Sequence, residues 1–283
     1  MDTLTPGTHS LTVDGSRQVY HVAGDGPVLV AHAGGPGIDH GYLRSADLEK
    51  RFTVVYLEPV GTGDSQPFPE DASYVGTYAR FLGAVIDHLG VPRVHLLGHS
   101  HGGFVALRYA LDHPDRVAGL ALYSTSPTTD EEFWASMRSN AASFPDRHPD
   151  HPEAADVLPW LTFDSATDEE HTDALRGLMP LYFADYWGER HAEYAALREG
   201  VRAWRVHHDG EPFDYRAELG DLTVRTVIVC GRHDFICGPV WGAMLHNGIP
   251  GSRLVMLEES GHFGQTEEPD AFTEAVTWLI SVE

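Results

Sequence analysis

Three side chains in this sequence have the types and the surroundings that acyl transfer needs, and a serine is the first of them. Residues 94–103 read VHLLGHSHGG, an apolar run that leads into the pattern G-x-S-x-G. A serine in a tight turn from strand to helix is exposed at the carboxyl end of the strand, and glycines two positions to either side leave room for the turn. Ser100 is therefore the predicted nucleophile.

A serine hydroxyl needs a base, and the base needs a carboxylate to orient it. Asp234 follows the apolar run 226–230, and His262 follows the run 253–257. Both are expected at the carboxyl ends of strands, so that they meet Ser100 at one rim of the sheet. The order Ser, Asp, His along the chain is that of the α/β-hydrolases.

These residues must be positioned by a sheet. Short β-rich runs alternate with amphipathic helical patterns, which predicts an α/β protein with a mostly parallel sheet and helices on both faces. We expect eight strands of the α/β-hydrolase fold, at residues 11–14, 18–22, 28–33, 53–58, 94–98, 118–124, 226–230 and 253–257. Helices are expected at 74–89, from Ser100 to the pair His113-Pro114, and near 269–280.

The β pattern stops between residues 127 and 213, where the sequence becomes helical and rich in acidic and aromatic residues. We expect a helical cap at 127–213 that interrupts one core domain formed by 1–126 and 214–283. Six aromatic residues either form the core of this cap or cover an apolar substrate pocket, namely Trp134, Tyr182, Phe183, Tyr186, Trp187 and Trp204.

The loop after the third predicted strand supplies the glycines that an oxyanion hole needs. Residues 32–37 read HAGGPG, which resembles the HGGPG loop of the proline iminopeptidase (prolyl aminopeptidase) branch of the α/β-hydrolases. The resemblance implies that the amide of Gly35, or that of Gly34, binds the oxyanion. The other donor is expected to be the amide of His101, the residue after the nucleophile, while the His101 imidazole lines or packs the pocket.

The resemblance continues through residues 61–65, 231–234 and 260–263. It implies an aminopeptidase or amidase that releases an N-terminal proline or another aminoacyl group. Ala33 is an insertion in the loop, Glu58 replaces the usual Asp of D-x-R-G-x-G-x-S, and a histidine replaces the usual Trp after the nucleophile. These departures favour the alternative, an esterase, lactonase or thioesterase that acts on a small metabolite. A protein of this fold that binds a ligand without turnover is the third hypothesis.

Cap carboxylates hold the free amino group of the substrate in that family, but no cap motif matches here. The acidic candidates are expected to be solvated surface residues rather than site residues. They are Glu131, Glu132, Glu189 and Glu193.

Charge and composition exclude several classes of protein. Lys and Arg number 19 and Asp and Glu number 42, so the net charge is −23, which argues against nucleic acid as a partner. The apolar runs are too short for a membrane span and no secretory signal is present, so a cytoplasmic protein is expected. His99 and His101 lack the further ligands of a metal motif because Gly103 and Phe104 occupy those positions. We therefore expect no metal, no cofactor, and a small-molecule or short-peptide substrate.

Overall fold

One eight-stranded sheet forms the centre of the molecule. The computed structural model describes residues 3–69, 73–206 and 212–281. The strand order is β1-β2-β4-β3-β5-β6-β7-β8, with β2 antiparallel to both of its neighbours and every other pair parallel. The strands are β1 Gly7–Val13, β2 Ser16–Ala23, β3 Val28–His32, β4 Thr53–Leu57, β5 Val94–His99, β6 Val117–Tyr123, β7 Thr226–Gly231 and β8 Arg253–Leu257.

Helices occupy most of the connections between strands in the described ranges. The α-helices are α1 Ala46–Glu49, α2 Tyr74–Leu89, α3 His101–Asp112, α4 Glu131–Ala142, α5 Phe144–Arg147, α6 Asp168–Leu178, α7 His191–Gly200, α8 Pro239–Gly248, α9 Gly264–Glu267 and α10 Pro269–Thr277. Shorter 3-10 segments lie at His40–Leu43, Pro114–Arg116, Pro152–Thr162, Met179–Tyr182, Leu219–Asp221 and Trp278–Ile280.

The inner strands are buried on both faces, and each face packs against its own helices. Every residue of β4 and of β7 is buried. Along β5, Leu96 belongs to the core that contains Phe81 of α2, and Leu97 belongs to the core that contains Phe272 of α10. Since side chains alternate between the faces of a strand, both faces must be apolar, which explains the continuous apolar runs.

The cap segment (the predicted insertion, residues 127–213) carries α4 to α7 between β6 and β7. A third apolar cluster joins it to the loop after β7, and its buried members are Ala141, Phe144, Ala154, Val157, Leu181 and Phe235. The predicted domain limits stay a prediction, and residues 207–211 of the cap segment lie outside the described residues. Across the described part of the chain, none of the helices has the length and apolar character that crossing a membrane requires.

The predicted fold class is confirmed, and β8 and α2 have the predicted bounds. Most other strand ends differ from the prediction by one or two residues, but β1 begins at Gly7 instead of residue 11. Its early residues are polar and largely exposed, so pairing with β2 rather than burial holds them. The helix predicted from Ser100 begins at His101, because the φ of Ser100 is 53° and is not helical. The last helix becomes 3-10 at Trp278.

Candidate active site

Ser100 lies in the turn between β5 and α3 (the serine turn, residues 98–102). Its φ of 53° and ψ of −120° are rare for a residue with a side chain, and such strain persists only where neighbours fix the backbone. The Ser100 amide donates to the carbonyl of Tyr123 at 2.9 Å, and the Thr125 hydroxyl donates to the Ser100 carbonyl at 2.8 Å. A Cβ at Gly98 would overlap the carbonyl group of Gly102 in α3, so the close approach of strand and helix requires glycine.

Asp234 and His262 form a buried pair. The Nδ1 of His262 lies 2.7 Å from Oδ2 of Asp234, and the side chains are 3% and 0% exposed. The other carboxylate oxygen accepts from the amides of Ile236 at 3.0 Å and Cys237 at 2.9 Å. Burial alone would raise the pKa of Asp234, but His262 and the two amides outweigh it and hold that pKa below its usual value. Asp234 is thus an ionised acceptor that keeps the proton of His262 on Nδ1.

The loop after β8 (the histidine loop, residues 258–263) lies against the serine turn. The Nε2 of His99 is 2.9 Å from the carbonyl of His262, and the two imidazole centroids are 4.5 Å apart. Among the described residues, Ser100 makes its hydrogen bonds through the backbone, and its hydroxyl has none to His262. The structure therefore joins the histidine to the aspartate and brings the histidine loop to the serine turn. Catalytic hydrogen bonds are often longer before substrate binds and shorten in the complex.

A chain of buried hydrogen bonds links the loop after β3, the serine turn and the histidine loop. The sequence analysis missed this chain. The Nε2 of His99 donates to the His262 carbonyl, so its Nδ1 must accept from the Tyr42 hydroxyl, 2.6 Å away. The Tyr42 oxygen in turn accepts from the amide of Gly34 at 2.6 Å. Burial first, and the neighbouring His262 second, hold the pKa of His99 well below its usual value, which keeps this imidazole neutral.

The loop after β3 (the glycine loop, residues 33–37) contains the predicted oxyanion donors. The Gly34 amide is already used by Tyr42, which leaves Gly35 as the better candidate. Gly35 has a φ of 133°, and its amide makes no hydrogen bond to the described residues. The second candidate, His101, is the first residue of α3, and its imidazole is fully buried with its centroid 4.6 Å from that of Tyr78.

Glu267 connects the histidine loop to the cap segment. Its carboxylate oxygens accept from the amide of Gly261 at 2.8 Å and from that of Ala184 at 2.7 Å. The His262 amide also donates to the carbonyl of Tyr182, at 2.7 Å. Burial is the main cause that raises the pKa of Glu267 to about 7. The position of the histidine therefore depends on contacts from the cap segment, which no sequence motif indicated.

A cavity of about 480 Å³ lies between the glycine loop and the cap segment. Gly35 and Pro36 line one side, and Tyr182, whose ring centroid is 5.3 Å from that of His262, lines another. Asp164, Arg205 and His171 supply a carboxylate, a guanidinium and an imidazole to its lining, and Trp160 and Phe163 supply apolar surface. Asp164 is the one carboxylate among these lining residues, so the described part of the lining shows no carboxylate pair of the kind that would hold a substrate amine.

Of the six aromatic residues singled out in the cap segment, Tyr182 alone is among those that line this cavity. Phe183 and Tyr186 are buried in the core, and Trp187 packs on Phe144 and His151. The four acidic candidates are all exposed, as expected for solvated surface residues, and they are Glu131, Glu132, Glu189 and Glu193.

Comparison with known proteins identifies the family. A family model described as alpha/beta hydrolase fold matches residues 27–269, so the chain belongs to that family. The chain is 28% identical over 267 residues to a 2-hydroxy-6-oxononadienedioate/2-hydroxy-6-oxononatrienedioate hydrolase of Escherichia coli, a match that covers 89% of this chain and 86% of the relative. The predicted superfamily is confirmed, and the chain is a hydrolase of the α/β fold.

Two solved structures show the same fold. An alpha/beta fold family hydrolase from Bacillus anthracis superposes with a TM-score of 0.75 at 20% identity, covering 96% of this chain and 98% of that one. The enol-lactonase of Burkholderia xenovorans LB400 superposes with a TM-score of 0.71 at 23% identity, covering 96% and 99%. None of these relatives is named as an aminopeptidase, so the proline iminopeptidase branch stays a prediction.

Proposed function

We propose that this protein is a serine hydrolase that cleaves an ester or lactone bond of a small metabolite through an acyl-enzyme. The observation that carries the proposal is the buried contact of 2.7 Å between His262 Nδ1 and Asp234. His262 belongs to the histidine loop, which lies against the serine turn. A carboxylate that fixes Nδ1–H leaves the lone pair of Nε2 for a proton from Ser100.

The reaction would proceed in two halves. The Ser100 oxygen attacks the substrate carbonyl carbon while His262 takes the hydroxyl proton, and the amides of Gly35 and His101 bind the resulting oxyanion. The imidazolium then gives its proton to the leaving alkoxide, and Asp234 stabilises the cation. Water, deprotonated by His262, attacks the acyl-enzyme and releases the acid together with the Ser100 hydroxyl.

The size and lining of the cavity support a small substrate. A volume of about 480 Å³ lies in the range typical of metabolite pockets. Arg205 and His171 line the cavity together with the one carboxylate Asp164, which suits a substrate that carries a carboxylate better than one that carries an amine. The resemblance of the chain to an enol-lactonase and to a dioate hydrolase, both named for small metabolites, agrees with this reading.

A substrate comparison tests the proposal. Short p-nitrophenyl esters and small lactones should be hydrolysed, and proline p-nitroanilide should not. Hydrolysis of the anilide with little ester activity would instead support the predicted aminopeptidase. Ser100→Ala should lower turnover on the order of 10⁶-fold, and a fluorophosphonate probe should label the wild-type chain and not this variant. Ser139→Ala is the matched control, because Ser139 is exposed on α4 and should leave both rate and labelling unchanged.

The similarity to the Escherichia coli enzyme favours a second candidate, hydrolysis of a 2-hydroxy-6-oxo-dienedioate. The dioate has two carboxylates, one of which Arg205 of the cavity can bind. Hydrolysis of this dioate can be followed as loss of its dienoate absorbance. If the wild-type chain hydrolyses the dioate faster than simple esters, this candidate is favoured.

A further inference from the structure

Two histidines and a glutamate from distant parts of the sequence meet beside β2 and β4. His21 lies on β2, Glu58 directly follows β4, and His40 begins the 3-10 segment after the glycine loop. One nitrogen or oxygen atom of each residue lies within 4.8 Å of those of the other two. The proposed reaction uses none of these three side chains.

The three side chains face one another at a sheltered position. The Nε2 of His21 is 2.7 Å from Oε1 of Glu58, and the His40 ring stacks on the His21 ring with centroids 4.4 Å apart and 12° between the planes. The side chains of His21, Glu58 and His40 are 24%, 12% and 15% exposed, so ions from solvent can reach them. An ion pair would require only His21 and Glu58. The imidazole of His40 is a third group at the same position, and together the three residues offer three metal-binding donors.

His21 and Glu58 each make a further hydrogen bond that fixes the orientation of the side chain. The hydroxyl of Thr8 lies 2.9 Å from Nδ1 of His21, and the amide of Asp64 donates to Oε2 of Glu58 at 2.7 Å. Histidines that bind a metal through one nitrogen usually donate a hydrogen bond from the other, which fixes the ring and makes the ligand more basic. The Thr8 contact permits this arrangement, because with a metal on Nε2 the Nδ1–H of His21 would donate to the hydroxyl.

His40 also has a neighbouring carboxylate, since its Nδ1 lies 3.5 Å from Oδ1 of Asp39. Asp39 is itself fixed, because its side chain accepts from the amide of Gly41 and its amide donates to the carbonyl of Arg202 at 3.0 Å. The position of His40 is therefore set by its own loop and by the cap segment.

We propose that His21, His40 and Glu58 bind a divalent transition-metal ion of the zinc type. Two imidazole nitrogens and one carboxylate oxygen suit Zn²⁺, whereas Mg²⁺ and Ca²⁺ bind mainly through oxygen. On binding, the proton shared between His21 and Glu58 is released to solvent, and both atoms then donate electron pairs to the ion. Water completes the coordination, and the net charge of −23 favours a cation.

Metal binding to the untagged full-length chain tests this proposal. After equilibrium dialysis against micromolar Zn²⁺, the wild-type chain should retain one ion more than His40→Ala or Glu58→Gln. His88→Ala is the matched control, because His88 is an exposed histidine on α2 and its removal should leave the stoichiometry unchanged. Thr8→Val should weaken the site by roughly 10- to 100-fold without removing it, because Thr8 only supports a ligand. Mg²⁺ should not compete.

Thermal unfolding shows whether each variant is folded and whether Zn²⁺ stabilises it. Zn²⁺ should raise the melting temperature of the wild-type chain and of His88→Ala, and should leave that of His40→Ala and Glu58→Gln unchanged. Equal Zn²⁺ retention by the wild-type chain and both ligand variants would overturn the proposal, because the ion would then sit on other histidines. A wild-type chain that retains no Zn²⁺ would overturn it as well. Both readouts are independent of hydrolytic activity, so their failure leaves the proposed function untouched.

Discussion

Removal of the Tyr42 hydroxyl should destabilise the protein far more than removal of another buried tyrosine hydroxyl. In Tyr42→Phe, the amide of Gly34 loses its acceptor and Nδ1 of His99 loses its donor, both at 2.6 Å. A buried polar group without a partner costs about 1–3 kcal/mol, so two cost about 2–6 kcal/mol. We expect the lower half of that range, because an amide in a loop can relax towards another acceptor.

Tyr78→Phe is the matched control for this change. Tyr78 is 1% exposed on α2, and its hydroxyl has no hydrogen-bond partner among the described residues. Its removal should be neutral or slightly stabilising, since a buried hydroxyl without a partner is itself unfavourable. Both variants remove one oxygen atom from a buried ring, so the difference between them isolates the hydrogen bonds of Tyr42.

Urea unfolding followed by tryptophan fluorescence measures the free energies of unfolding, and ester hydrolysis measures the effect on rate. Tyr42→Phe should also lower kcat by up to about a hundredfold, because small displacements of the glycine loop and the histidine loop misalign the reacting groups. A Tyr42→Phe variant that is as stable and as active as Tyr78→Phe would refute the account of the hydrogen-bonded chain.

Three further perturbations test other parts of the site. Asp234→Asn should lower kcat about 10⁴-fold in the ester assay, with little change in KM, because His262 loses the tautomer that the carboxylate enforces. Gly98→Ala should reduce the free energy of unfolding in urea by about 1–3 kcal/mol or more, because its Cβ would overlap the carbonyl group of Gly102 in α3. Burial raises the pKa of Glu267 from 4.5 to about 7, so the stability that this group contributes is complete below pH 4.5 and is lost as the pH rises to about 7. Urea titrations across this range should show that the wild-type chain loses stability relative to Glu267→Gln as the pH rises.

The sequence predicted the parts of the fold that burial determines. Strands such as β7 are buried along their whole length, so a continuous apolar run reveals them. The first half of β1 is polar and largely exposed, and the chain gives no local sign that it pairs with β2. The turn around Ser100 could also be predicted from the local sequence, because such a turn needs glycines at a fixed spacing.

The supporting residues of the site were beyond sequence reasoning because they act through contacts made in three dimensions. Tyr42 and His99 are 57 residues apart and meet only when the glycine loop packs against the serine turn. Nothing in the local sequence distinguishes Glu267 from other helix residues, because its contact with the amide of Ala184 forms only when the cap segment packs against α9. Glu58 did give a signal, as a departure from the family pattern, but its contact with His21 could not be inferred from that alone.

The segment from residue 33 to 43 shows why such contacts matter. Its glycines permit the backbone geometry that oxyanion binding needs, but glycine also leaves a loop without intrinsic stiffness. Oxyanion donors are effective only when they are fixed in advance, so the stiffness must come from outside the loop. Tyr42 attaches the segment to the serine turn, and Asp39 attaches it to the cap segment. A metal ion at His40 would attach the same segment to β2 and β4. Zinc binding and the Tyr42 hydrogen bonds therefore restrain one loop from two sides, and losing both should cost more stability than the sum of the separate losses.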